Sequence, residues 1–231
     1  MRLLPKLNAN RRTILLSTWG LFTGLALLLI TAGVYSTLVG IRAELKNLPT
    51  IVSGGITTAY YAGFLLGSWY TLRALKQVGH IRVYAALASL LSASVLITGV
   101  YDSPLVWIIM RSSTGFCFAG LYVVAESWLN GLATNTFRGR LLAMYNVVTI
   151  GAYGAGQLLV FNFDARTLTG FAFAAVISSL AVIPVVMSEQ AATPAVENHT
   201  HITLRELAKI VPTGAGTILL VGLAHGGMLG M

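Results

Sequence analysis

Two ionisable residues stand in a stretch of this sequence that otherwise reads as lipid-soluble. They are Arg111 and Glu126, within RSSTGFCFAGLYVVAESW, residues 111–128. A guanidinium in such surroundings has few chemistries open to it. It can face a water-filled cavity and bind an anionic group, it can favour ionisation of a nearby acid, or it can snorkel to the headgroups. Asp102, just outside the stretch, would meet it in the last case. Glu126 lies about 22 Å further along a helix, so the two cannot touch. It is expected to pair instead with Lys76, Arg138 or Arg140, as a clamp, with a proton-carrying role as the alternative. A second polar set follows: Tyr145, Thr149, Tyr153 and Gln157 recur at about i, i+4, with Asn146 beside them. Such a stripe should face protein or water, either as helix–helix hydrogen bonding or as the wall of a pore or substrate path.

The elements that must position these residues follow from composition. Of 231 residues, 56% are hydrophobic and 10% charged, against about 25% charged in a soluble domain. The apolar runs are continuous and long enough to cross a hydrocarbon core about 30 Å thick as helices, which excludes a barrel. The pattern predicts an all-α membrane protein with spans over residues 14–39, 51–73, 82–100, 105–128, 142–161 and 168–187. A six-helix bundle therefore occupies residues 1–187. A polar connection with a short surface helix takes 188–212, and a seventh, truncated span takes 213–231.

The net charge of +8 is confined to the gaps between spans, which is a topology signal and not a nucleic-acid footprint. Arg2, Lys6, Arg11, Arg12, Arg73, Lys76, Arg82, Arg138, Arg140, Arg205 and Lys209 fall on one side; Arg42, Lys46 and Arg166 fall on the other. The positive-inside rule makes the N-terminus cytoplasmic. In the connection, Thr203-Leu-Arg-Glu206 has capping-box spacing, and the Asn198 sequon would lie in the cytoplasm, out of reach of glycosylation. His199 and His201 lack further ligands, and the single Cys117 reads as a packing residue, so no metal or cofactor is expected. Ala59, Gly63 and Gly67 beside Tyr60 and Tyr61, and Gly151, Ala152 and Gly156, are small faces on which a neighbouring helix can pack closely. Trp19 reads as an interfacial anchor and Tyr35 as a scattered amphipathic position.

The fourth span carries a resemblance. Arg111-Ser-Ser-Thr-Gly115-Phe-Cys-Phe-Ala119 resembles the fourth-helix motif of the major facilitator superfamily, with Thr114 where glutamine is common. VVAESWLN (123–130), RGRLLAMYNV (138–147) and GAYGAGQLLV (151–160) are together similar to the YcaD-like branch of that superfamily, and the likeness extends over nearly the whole chain. Two motifs depart from the superfamily pattern. Leu72 and Lys76 replace the Gly and Asp of the second-to-third loop, and Gln157 follows Gly156 where antiporters carry proline.

The resemblance implies the first half of a two-bundle transporter, with the first, second, fourth and fifth helices lining a midplane site. Carried onto this chain, Arg111, Thr114, Tyr122, Tyr145, Asn146, Thr149, Tyr153 and Gln157 become the substrate or coupling cavity. Lys76, Arg82, Glu126, Arg138 and Arg140 become a cytoplasmic gate cluster. The expected function is secondary active transport of a small molecule across the inner membrane by alternating access, with proton coupling open. The expected partners are the bilayer, the solute and a second, C-terminal six-helix bundle, with no nucleic acid. The alternative is an oligomeric channel or scaffold, for which a symmetric charge ring would be expected. Ser53-Gly54-Gly55 lacks the setting of a serine nucleophile, so no enzyme is predicted.

Overall fold

The computed structural model describes residues 4–132 and 138–188, with side chains from Thr18 onward except that of Leu132, and residues 211, 213, 214, 216, 217, 220 and 221. The chain divides into two compact units, Met1–Val196 and Glu197–Met231. In the second, the Thr217 hydroxyl donates to the Thr213 carbonyl across one helical turn. The capping box, Asn198, His199, His201, Arg205, Lys209 and most of the expected seventh span lie outside the described residues, as do Arg2 and the side chains of Lys6, Arg11 and Arg12.

The first unit is a helical bundle: α1 (Leu4–Leu45), α2 (Thr50–Val78), α3 (His80–Val100), α4 (Pro104–Leu132), α5 (Arg138–Leu159), α6 (Thr169–Leu180) and α7 (Val182–Met187). No strand occurs among the described residues. The breaks have local causes. Asn47 adopts the left-handed conformation (φ 49°) just after α1, and Pro49 then caps α2. Gly79 at φ 84° turns α2 into α3, a backbone state that a side chain would strain. Pro104 opens α4, where its missing N–H has no helical partner to lose. Pro184 cannot donate to the Leu180 carbonyl, and α6 ends at Leu180, so α6 and α7 form one broken rod.

Four rods are long and apolar enough to cross a membrane: Thr18–Leu45, His80–Val100, Pro104–Gly131 and Thr169–Met187. The chain is a multi-pass membrane protein. The 29 residues of α2 and 22 of α5 also reach far enough, about 44 and 33 Å at 1.5 Å per residue. They carry more Gly, Thr, Tyr and amide side chains, and so fall short in hydropathy.

These two less apolar helices make the most extensive packing. Helix α2 lies along α4 and α5 lies along α1, while α3 and α6 join the pairs from behind. Exchanging the first three rods for the second three maps this pattern onto itself, as in the nested three-helix repeats of transporters. Both seams are built on glycine. A Cβ at Gly63 or Gly67 would run into the backbone of Ser112 or Phe116, and one at Gly115 into the Tyr60 carbonyl. On the other seam, Gly33 faces the Tyr153 carbonyl and Gly156 the Ile30 carbonyl. Backbones this close give dense van der Waals contact, which replaces the hydrophobic drive that lipid does not supply. Helices α4 and α5 touch at only a few residues, so the two pairs are separated on the side away from α3 and α6.

Candidate functional site

The residues between the two helix pairs are polar and aromatic. Arg111, seven residues into α4, directs its guanidinium at two tyrosines: its Cζ lies 5.3 Å from the Tyr35 ring centroid on α1 and 4.8 Å from that of Tyr60 on α2. Both distances are within cation–π range. Its Nε is buried and has no hydrogen-bond acceptor among the described residues. Tyr35 is fully buried and locked by a 3.1 Å hydrogen bond to Thr98 on α3. Tyr60 continues into an aromatic row through Phe64 (6.1 Å) to Tyr122 on α4 (6.3 Å). Tyr122 and Tyr153 lie near one another and near Tyr60. The Tyr153 hydroxyl is 3.0 Å from Ser36 Oγ on α1. Arg111, Tyr122 and Tyr153 are thereby brought into one cluster, joined by Tyr35, Tyr60 and Ser36.

The remaining cavity residues take other places. Thr114 is buried and its hydroxyl donates to the Arg111 carbonyl at 3.0 Å, which satisfies it within its own helix. Thr149 does the same with the Tyr145 carbonyl at 2.7 Å. Asn146 is exposed and bonds to the Leu142 carbonyl at 3.1 Å, and Gln157 is exposed. Tyr145 donates its hydroxyl to Glu126 Oε1 at 3.1 Å, a polar link between α4 and α5. That is the contact Glu126 makes. No ion pair joins it to Lys76, Arg138 or Arg140 among the described residues, so the clamp expected from the sequence is replaced by a tyrosine. Arg138 donates to Asn130 at 3.0 Å, while Lys76, Arg82 and Arg140 are exposed.

Asp102 does not meet Arg111. It pairs with Arg42 at 3.0 Å and with Lys46 at 3.1 Å, and Arg42 also donates to the Gly99 carbonyl at 3.1 Å and lies 5.1 Å over the Phe171 ring. Nothing in the sequence pattern showed that a single acid gathers both of these cations. It gave no sign of His80 either, whose buried ring sits 3.1 Å from Ser127 Oγ and edge-on to Trp128. Tyr35 was legible as an amphipathic position and Tyr60 as a neighbour of the small-residue ladder, yet nothing in their spacing pointed them at Arg111.

No family model matches the chain, and no solved structure matches it. Curated relatives do. The chain is 26% identical over 217 residues to "Uncharacterized MFS-type transporter YcaD" of Escherichia coli O45:K1 (strain S88 / ExPEC), covering 91% of this chain and 56% of that protein. The same figures hold for the protein of that name from Escherichia coli (strain K12 / DH10B). The chain thus spans about half the length of the curated relatives it matches, consistent with the N-terminal half of such a transporter. Over nearly its whole length this chain is similar to MFS-type transporters, the resemblance that its fourth- and fifth-span motifs carry.

Proposed function

We propose that this chain forms one wall of a secondary active transporter that moves a small molecule across the inner membrane by alternating access, with its N-terminus in the cytoplasm. One observation carries the reading: Arg111 is the single charged residue of the polar and aromatic cluster among the described residues, it has no acid beside it, and it stands where two helix pairs separate. A charge kept at membrane depth without a partner belongs on a water-accessible path. The wall comprises α1, α2, α4 and α5, with six crossings in the first unit once α6 and α7 count as one. A second six-helix bundle closes the opposite side, as the half-length match to the relatives supports. Thr114, Tyr145, Asn146, Thr149 and Gln157 flank the cavity, and Glu126 with Lys76, Arg82, Arg138 and Arg140 forms the cytoplasmic gate.

The test is access. In a Cys117→Ala background, Ser36→Cys should react with a membrane-impermeant thiol reagent, whereas Leu91→Cys, at a fully buried position behind the seam, should not. Equal protection of both would leave a dry bundle and overturn the transport reading.

A further inference from the structure

We propose that the site between α1, α2 and α4 takes a small organic monoanion, a single carboxylate on a flat, apolar or aromatic body. The proposal rests on the transport reading and names its substrate class. Charge comes first. Asp102 is already held by Arg42 and Lys46, and Glu126 is bonded by Tyr145 about 22 Å along the helix from Arg111. Among the described residues the cluster therefore carries one uncompensated positive charge. A ligand with one negative charge neutralises it. A second negative charge would have no partner in surroundings where unpaired charge is costly. The separation of Arg111 from Glu126 also excludes a small zwitterion spanning both.

Geometry gives the anion its form. The Tyr35 and Tyr60 rings lie against the guanidinium at 5.3 and 4.8 Å, and they contribute ring faces, not acceptors. No described residue accepts from its buried Nε, while Arg111 as a whole stays partly exposed. A planar carboxylate from outside the chain is the group that matches the edge of the guanidinium left open. The body is set by the walls. Tyr60, Phe64 and Tyr122 form a continuous aromatic row, with Tyr153 beside it. Such a surface buries an apolar ring well, with phenol hydroxyls available at its edges.

The experiment measures binding to the 231-residue chain in lipid nanodiscs with four probes of one shape: benzoate, neutral benzamide, cationic benzylamine and dianionic phthalate. Benzoate should bind at least tenfold more tightly than the other three. Arg111→Gln should weaken benzoate at least tenfold. Arg111→Lys keeps the charge but loses the planar fork, so it should fall between, and it serves if the Gln variant does not fold. Equal binding of benzoate and benzamide, or undiminished benzoate binding in a folded Gln or Lys variant, overturns the proposal. Absence of benzoate binding while Ser36→Cys reacts with the impermeant reagent overturns the monoanion and leaves the aqueous path standing. Absence of both removes the transport reading as well.

Discussion

Two arginines of this bundle, Arg42 buried and Arg111 half-buried, are treated oppositely by their neighbours. Arg42, its side chain 7% exposed, has an acid, a backbone carbonyl and an aromatic face. Those contacts tie the end of α1 to α3, α6 and the turn before α4. Arg111 has two aromatic faces and, among the described residues, nothing that accepts a hydrogen bond at Nε. The difference separates a charge used to hold helices together from a charge held ready for something else. A compensated ion is costly to break because its partner is left behind. An uncompensated one is a standing cost to the fold, which the tight glycine seams on both sides offset by fixing the helices that carry it.

That contrast can be broken by experiment. Arg42→Leu should have the largest effect on stability, a loss of about 2 to 4 kcal/mol from the ion pair, the charge-assisted hydrogen bond and the ring contact together. It would be read as a lowered thermal unfolding midpoint in detergent, and an unmoved midpoint would reduce Arg42 to decoration. Asp102→Asn should cost less, about 1 to 2 kcal/mol, because the carboxylate is 48% exposed and water partly replaces it. Its deficit relative to the parent should shrink as salt is raised. Tyr145→Phe, which frees Glu126, should cost about 0.5 to 1.5 kcal/mol for one lost hydrogen bond. The smallest effect belongs to Arg111→Leu. Losing two cation–π contacts of about 0.5 to 1 kcal/mol each is offset by removing an unsatisfied buried N–H. Its midpoint should stay within about 1 kcal/mol of the parent while benzoate binding disappears. A loss as large as that of Arg42→Leu would make both arginines structural and end the comparison.

The positions of the spans were legible because hydropathy is a local property. The expected fourth span, residues 105–128, and sixth span, 168–187, match α4 and the α6–α7 rod closely. Helix α1 runs longer than its apolar run at both ends, since hydropathy marks the hydrocarbon boundary and the helical hydrogen-bond ladder does not stop there. The small-residue ladder at Gly63 and Gly67 was read correctly as a close-packing seam. The partner of each polar side chain was not legible. Thr114 and Thr149 stand at positions suited to a cavity wall, but each hydroxyl bonds back to its own helix, a choice made by side-chain rotation. Asp102 lies nine residues from Arg111 in sequence and pairs instead with Arg42 and Lys46 on another helix, because antiparallel packing brings the end of α1 beside the α3–α4 turn.

Residue types and their order make this chain helical and membrane-embedded, since both follow from the cost of exposing polar backbone or charge to hydrocarbon. Which helix lies against which, and hence which arginine finds an acid and which finds only aromatic rings, was decided by the tertiary structure alone. Glycine seams, and not any feature of the arginines themselves, set α2 on α4 and α5 on α1, and the space left between those pairs is what makes Arg111 different from Arg42.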